Sequence, residues 1–398
     1  MDQSIKTIQH DLQELWINQG AIFFNEGDSD FTRSSRLIHF GNWQEEYRSA
    51  TANVALFDRS STGKIELSGK EAGLFLQNSS TNQILSLKLN EGCELYFCNR
   101  TARVIAHCNA FYGGFPNHQS VYRLTVTPGY NQQLLQHLDR HIISEEVILE
   151  DKTDSLAQFH LCGPNAQTIL NSCFGESIPL TQLFHQTNLS FKHREHNIDC
   201  LVALVDETGL PGYDIQCHFS DAIHLANWFI GQNIPLAGEY TYDILRIEAG
   251  HPIYGIDIDD KRFVMELPRV QRAISYQKGC FIGQEPIVMV RDRTGSVART
   301  LLPLKIIDPV PGQENYIGLN NSFLDRSLKE DSEKRALSPK DKIYIEDKEV
   351  GLITSITYSP KFDRLLALGY LSHGHQEIGT RVKIGSSRID AIVCALPE

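Results

Sequence analysis

Apolar and polar positions along the chain change period several times, and each change predicts an element. Leu12, Leu15 and Trp16 recur at helical spacing, which predicts an N-terminal helix, and the GDSDFTRSS stretch then ends it. EEYRSATANVALFD reads as a helix running into a strand. GKIELSG alternates as a strand through Ile65 and Leu67, and KEAGLFLQNSS returns to a helical pattern. CELYFCN and ARVIAHCNAFY predict neighbouring strands joined at Asn99, Arg100 and Thr101. VYRLTVTPG is a further strand, and Tyr130–Ile142 an amphipathic helix with Leu134, Leu135 and Leu138 inward.

The rhythm recurs in the second half. DSLAQFHLCGP predicts a strand and NAQTILNSCFG a helix. CLVALVDETGLPGYDIQC predicts a hairpin before the helix DAIHLANWFIG. Mixed sheets carrying helices on one face give an α+β class. From about Val297 strands and loops take over. Ile343, Ile345, Val350 and Leu352 predict a hairpin turning near Asp347 and Lys348, and the final ALGYLSHG and GTRVKIGSSRIDAIVCALPE have the even strand spacing of a small barrel. The polar stretch 321–341 reads as a solvated loop insertion. The expected division is therefore 1–297 and 298–398.

Composition narrows the classes. At 398 residues, 41% of them hydrophobic, the chain buries a large core in two or three compact units. A net charge of −12 excludes a protein whose whole surface binds nucleic acid. Nine scattered cysteines include no CxxC pair, so reduced thiols in a cytoplasmic protein are expected. No long apolar run predicts a membrane span, and no signal-peptide pattern opens the sequence.

Chemistry concentrates in 242–299. Cys280 lies in KGCFIGQE, two residues after Lys278 and just before Pro286, which suits a first helical turn. A helix start near Gly283–Glu285 and a nearby ammonium both favour thiolate, so Cys280 is the candidate reactive thiol and Lys278 its tuning group. The other eight cysteines read as buried structural thiols. Arg246 to Arg299 holds nine Lys/Arg against seven Asp/Glu, a basic island suited to an anionic ligand or an RNA backbone, or else an internally paired surface. Asp257, Asp259 and Asp260 lack the spacing of a calcium loop and read as a solvated turn. His107, His160 and His251 stand apart, without zinc spacing, so no metal site is expected.

LRIEAG (245–250), YGIDID and KGCFIGQE together resemble the YgfZ family of folate-binding proteins, relatives of the glycine-cleavage aminomethyltransferases. That resemblance implies ferredoxin-like units around a central tetrahydrofolate channel, plus a C-terminal β-barrel. It implies folate contacts from Tyr254, Arg246, Gln284, Glu285, Arg293 and Arg299, and an accessory role in assembling or repairing iron–sulfur proteins. Three departures argue against glycine-cleavage aminomethyltransferase activity. Where aminomethyltransferases place an aspartate against the reacting folate nitrogen, this chain has His107. Their Thr-Gly-Glu-Asp-Gly turn reads Thr208-Gly209-Leu210-Pro211-Gly212, and the Arg before LRIEAG is replaced by Tyr242. Two alternatives to the accessory role stay open: a folate-dependent aminomethyl or one-carbon transferase, and an RNA-binding module for tRNA modification.

Overall fold

The computed structural model describes residues 3–24, 36–115, 121–317 and 336–395. Two compact units emerge, and neither is continuous in sequence. The first comprises 1–97, 105–241 and 271–282; the second comprises 98–104, 242–270 and 283–398. No single cut separates them. The expected boundary at 297/298 falls instead just before the first barrel strand, Arg299–Ile306. Of the polar insertion expected at 321–341, residues 321–335 lie outside the described residues.

The first unit contains two sheets. One has six strands in the order Gln186–His193, His196–Val205, Gly212–His218, Leu156–Cys162, Ala55–Asp58, Leu236–Ala237. The other has five: Gly92–Cys98, Val104–Tyr112, Tyr122–Val126, Gly63–Ser68, Ile148–Asp151. The predicted helices cover them, among them Asn131–Asp139, Ala166–Phe174 and Phe219–Gly231. Trp43–Ala52 begins where Asn42 accepts from the backbone N–H groups of Gln44 and Glu45, satisfying donors that a helix start leaves open.

Strand parity explains the interior. Ile65, Leu67, Leu95, Phe97, Ala106, Cys108, Ala110, Leu124 and Val126 share one apolar cluster. Their neighbours Lys64, Glu66, Glu94, Tyr96, His107, Asn109, Arg123 and Thr125 therefore point to the opposite face. The six-stranded sheet repeats the scheme. Ala157, Phe159, Leu161, Tyr213, Ile215 and Cys217 enter the helix-packed core, which leaves Gln158, His160, Asp214 and Gln216 on the other side. These polar faces meet: Arg123 donates to Gln216 and Gln186, and Asn109 to Glu207 at 2.9 Å. The unit thus has apolar layers under its helices and a hydrogen-bonded polar layer between its sheets.

The second unit holds the expected barrel, closed in the order Arg299–Ile306, Arg364–Ser372, Lys348–Ser359, Lys342–Ile345, Arg381–Ile384, Ile389–Val393. Closure removes every open strand edge. Leu304, Ile343, Ile353, Ile356, Leu365 and Val382 fill its interior. The hairpin turns at Glu346 and Asp347, as the alternation predicted.

Candidate functional site

In the first unit the polar layer contains a chain of four charged or titratable side chains. Asp206 receives both ends of the Arg272 guanidinium, at 2.7 and 3.2 Å. Arg272 Nε donates to Glu94 Oε2 at 2.5 Å, and Glu94 Oε1 meets His107 Nε2 at 2.6 Å. Tyr96 stacks on the His107 ring, with centroids 4.6 Å apart and planes 21° from parallel. Strand pairing brings these together, since Glu94 and Tyr96 lie on one strand and His107 on its neighbour.

Glu94 is only 1% exposed, so its charge is affordable only with both partners in place. Burial pulls the Arg272 pKa down, but the hydrogen bonds to Asp206 and the Glu94 charge outweigh it and hold the group above its ordinary value. Asn82 fixes the backbone on both sides, donating to the carbonyls of Glu94 and Arg272 at 2.8 and 2.9 Å. Phe184 lies under the Arg272 guanidinium at 5.1 Å. Next to Asp206 and Glu207 in sequence, Thr208 is buried, and its hydroxyl has no protein partner among the described residues.

Lys278 belongs to the same unit but to a different arrangement. Its Nζ donates to the carbonyls of Ser80 and Asn82, both at 2.7 Å, and lies 4.9 Å from the Phe281 ring. Burial lowers its pKa to about 7, and the opposing charge interaction comes from Cys93. The lysine expected to tune Cys280 therefore anchors the 80–82 loop. Cys280 is the one exposed cysteine; burial raises the Cys93 thiol to about 12.

The other expected contacts fall in the second unit. Gln284 and Glu285 open the short helix Gln284–Met289, after Gly283 at φ 86°; a Cβ there would meet the Asn99 carbonyl at 2.6 Å. Arg293 and Arg299 are exposed, and Tyr254 is buried, bridging to Ile258. Arg246 is fully buried. Its Nε donates to Asp243 at 2.7 Å, Nη1 to Asp257 at 2.6 Å and Nη2 to the Ser355 hydroxyl at 2.9 Å. Thr354 and Ser355 also donate to Asp257, which is therefore the centre of a buried network and not part of a solvated turn. That spends Arg246 on structure and leaves it no outward-facing guanidinium edge.

The basic island is largely consumed in the same way. Arg246, Arg272 and Lys278 have internal partners, and Arg262 sits 3.9 Å over the Tyr370 ring. Among the described residues no group of three His, Cys, Asp or Glu side chains could hold a metal ion, and no helix is long and apolar enough to cross a membrane.

Sequence comparison places the chain in a family. Residues 12–278 match the GCVT N-terminal domain, and residues 327–397 match the glycine cleavage T-protein C-terminal barrel domain. The chain belongs to the glycine-cleavage T-protein family. It is 24% identical over 384 residues to an aminomethyltransferase of Bacillus pumilus, covering 92% of this chain and 95% of that one. To an aminomethyltransferase of Desulfitobacterium hafniense it is 25% identical over 371 residues, covering 88% and 90%. The crystal structure of the glycine cleavage system aminomethyltransferase T from Bartonella henselae superposes with a TM-score of 0.79 at 20% identity, covering 97% and 96%. The α+β T-protein fold with its six-stranded barrel is thus shared along nearly the whole chain. The YgfZ branch is a finer assignment than these likenesses make.

Sequence reading missed Glu94, Asp206 and Arg272. Glu94 is an acid at the head of a buried run, Leu95 to Cys98, and is itself 1% exposed.

Proposed function

We propose that the protein binds tetrahydrofolate at the Glu94–His107–Arg272 cluster and acts as a folate-dependent one-carbon transferase of the aminomethyl type. The carrying observation is the His107–Glu94 contact at 2.6 Å: the strand position at which the family resemblance leads one to expect a carboxylate holds an imidazole backed by one. The donor set suits a flat heteroaromatic with N–H groups. Glu94, Asp206 and Glu207 are carboxylates, His107 is a ring stacked on the buried Tyr96, and the buried Thr208 hydroxyl lacks a protein partner among the described residues.

When bound, the folate supplies the amine nitrogens that accept a one-carbon unit. The residues bind and orient it. Arg272 holds the Glu94 carboxylate in place, Glu94 holds the imidazole, and Tyr96 fixes the plane of that ring. Incubation with tetrahydrofolate and an aminomethyl donor is expected to give methylene-tetrahydrofolate. A protein that binds tetrahydrofolate but forms none contradicts the transferase reading.

One observation favours a second reading. Among nine cysteines Cys280 is the one exposed, as a working thiol requires. It supports the YgfZ-type accessory role in iron–sulfur protein assembly, with Cys280 as the functional group. Complementation of a deletion strain by Cys280→Ala, judged by iron–sulfur enzyme activity, tests it; full rescue removes the role.

A further inference from the structure

One hairpin tip of the first unit is held to a helix by stacked imidazoles. Strands Gln186–His193 and His196–Val205 pair antiparallel up to His193 opposite His196, and Arg194 and Glu195 make the turn. Parity decides which side the rings take. Leu189, Phe191, Ile198 and Cys200 enter the helix-packed core, so His193 and His196 lie on that same face. There the His196 ring stacks on His224 of the helix Phe219–Gly231, with centroids 3.6 Å apart and planes 23° from parallel. His193 stacks over Phe191, which is 0% exposed and meets Phe174 and Trp228 edge to face.

Two neutral imidazoles, or one neutral and one protonated, can lie face to face at that spacing. Two cations there repel strongly. Burial and the His196 charge lower the His224 pKa from 6.5, and Asp221, one turn earlier on the same helix, opposes them. The surrounding elements supply no further anion on this face. Helix Ala166–Phe174 has no Asp, Glu, Lys, Arg or His, and Lys192 and Asp199 project from the opposite face of the sheet. In the turn Arg194 and Glu195 have opposite signs, and His193 adds another ring that can charge. The N-terminal helix also packs on Phe219–Gly231. It turns Leu12, Leu15 and Trp16 inward and keeps Asp11 and the His10–Glu14 pair at its surface.

We propose that the His196–His224 stack is an acid-released latch, which holds the hairpin tip on the helix while it carries at most one proton. A second proton drives the rings apart and uncovers Phe191 and the adjoining side of Trp228. The direction follows from linkage. With the latch open, each ring faces water and takes its proton near the ordinary 6.5; with it closed, the second proton is held less tightly. The open form therefore binds more protons, so the latch is fully closed above about pH 6.5 and weakens as pH falls below it. No ligand takes part, and the latch stands apart from the folate reading.

Ring-proton NMR across the histidine range tests this, with the two rings assigned by the signals lost in His196→Asn and His224→Phe. In the wild type they should titrate in steps at least about one pH unit apart, as two like charges this close impose. A ring-to-ring Overhauser contact should hold above the lower step and vanish below it. Amide exchange of residues 191–198, corrected for intrinsic rate, should quicken at least about tenfold below that step, the population change that one pKa unit gives. The barrel strand Lys348–Ser359 should stay protected at the same pH. In His224→Phe, which keeps a ring to stack on but takes no proton, the quickening should be absent. Coincident midpoints, a contact that survives double protonation, equal quickening in His224→Phe, or exchange that rises together in the barrel each overturns the latch. The wild-type exchange pattern needs no variant, so misfolding of one does not mask the answer.

Discussion

Arg246 and Arg272 each clasp two carboxylates, and they do opposite things with them. Arg246, in the second unit, is 0% exposed, and its partners lead on to hydroxyls and backbone: Asp243, Asp257, Ser355, Thr354. Arg272, in the first unit, is 31% exposed, and its partners lead to a ring that can carry a proton: Asp206, Glu94, His107. The first network ends on hydroxyl groups, the second on an imidazole. Charge content and hydrogen bonding are alike in the two, and under the proposed reading the terminus is what separates a structural network from a ligand site.

Substitutions that break one clasp at a time should separate them, beginning with the largest effect. Arg246→Met leaves Asp243 and Asp257 buried without their cation and should cost about 3–5 kcal/mol in chemical denaturation. A loss under about 1 kcal/mol would show that the closed network is not structural. Arg272→Met should cost somewhat less, about 2–4 kcal/mol, because Glu94 is left buried without its cation while Arg272 and Asp206 are themselves partly solvated. It should also release Glu94 and weaken tetrahydrofolate binding.

The third substitution depends on pH. Burial lowers Lys278 to about 7 from an ordinary 10.5, so between those values the unfolded chain binds a proton that the folded chain does not. Stability of the wild type relative to Lys278→Met should therefore rise as pH climbs from about 7 toward 10.5, and stay level below that window. A difference that is flat across the window contradicts the buried anchor. The smallest effect belongs to Cys280→Ser, an exposed change expected to stay within about 0.5 kcal/mol. In the native wild type a thiol reagent should modify one cysteine quickly, and in this variant none; rapid reaction of a second would place another thiol at the surface.

Elements with a clear period were legible in the sequence. The alternation in GKIELSG marked a strand, and Ile343, Ile345, Val350 and Leu352 marked the barrel hairpin, because one face of each meets an apolar core. The site was not legible, because its contacts are remote in the chain. Arg272 meets Glu94 across 178 residues and Asp206 across 66, so nothing local tells a buried polar face from a solvated one. Adjacency misled in the other direction. Lys278 is two residues from Cys280, yet its ammonium binds the Ser80 carbonyl, 198 residues away. LRIEAG placed Arg246 well as a marker of the fold but poorly as a ligand contact, since only packing shows that Asp243, Asp257 and Ser355 absorb its donors.

Calorimetric titration of tetrahydrofolate into the wild type and Glu94→Gln tests the central claim most directly, that the open-ended cluster of the first unit is the binding site. The wild type should bind, and Glu94→Gln should bind at least about tenfold more weakly, the loss expected when a charged hydrogen-bond partner is removed. Equal affinity in the two proteins, or no binding by a folded wild type, would contradict the account.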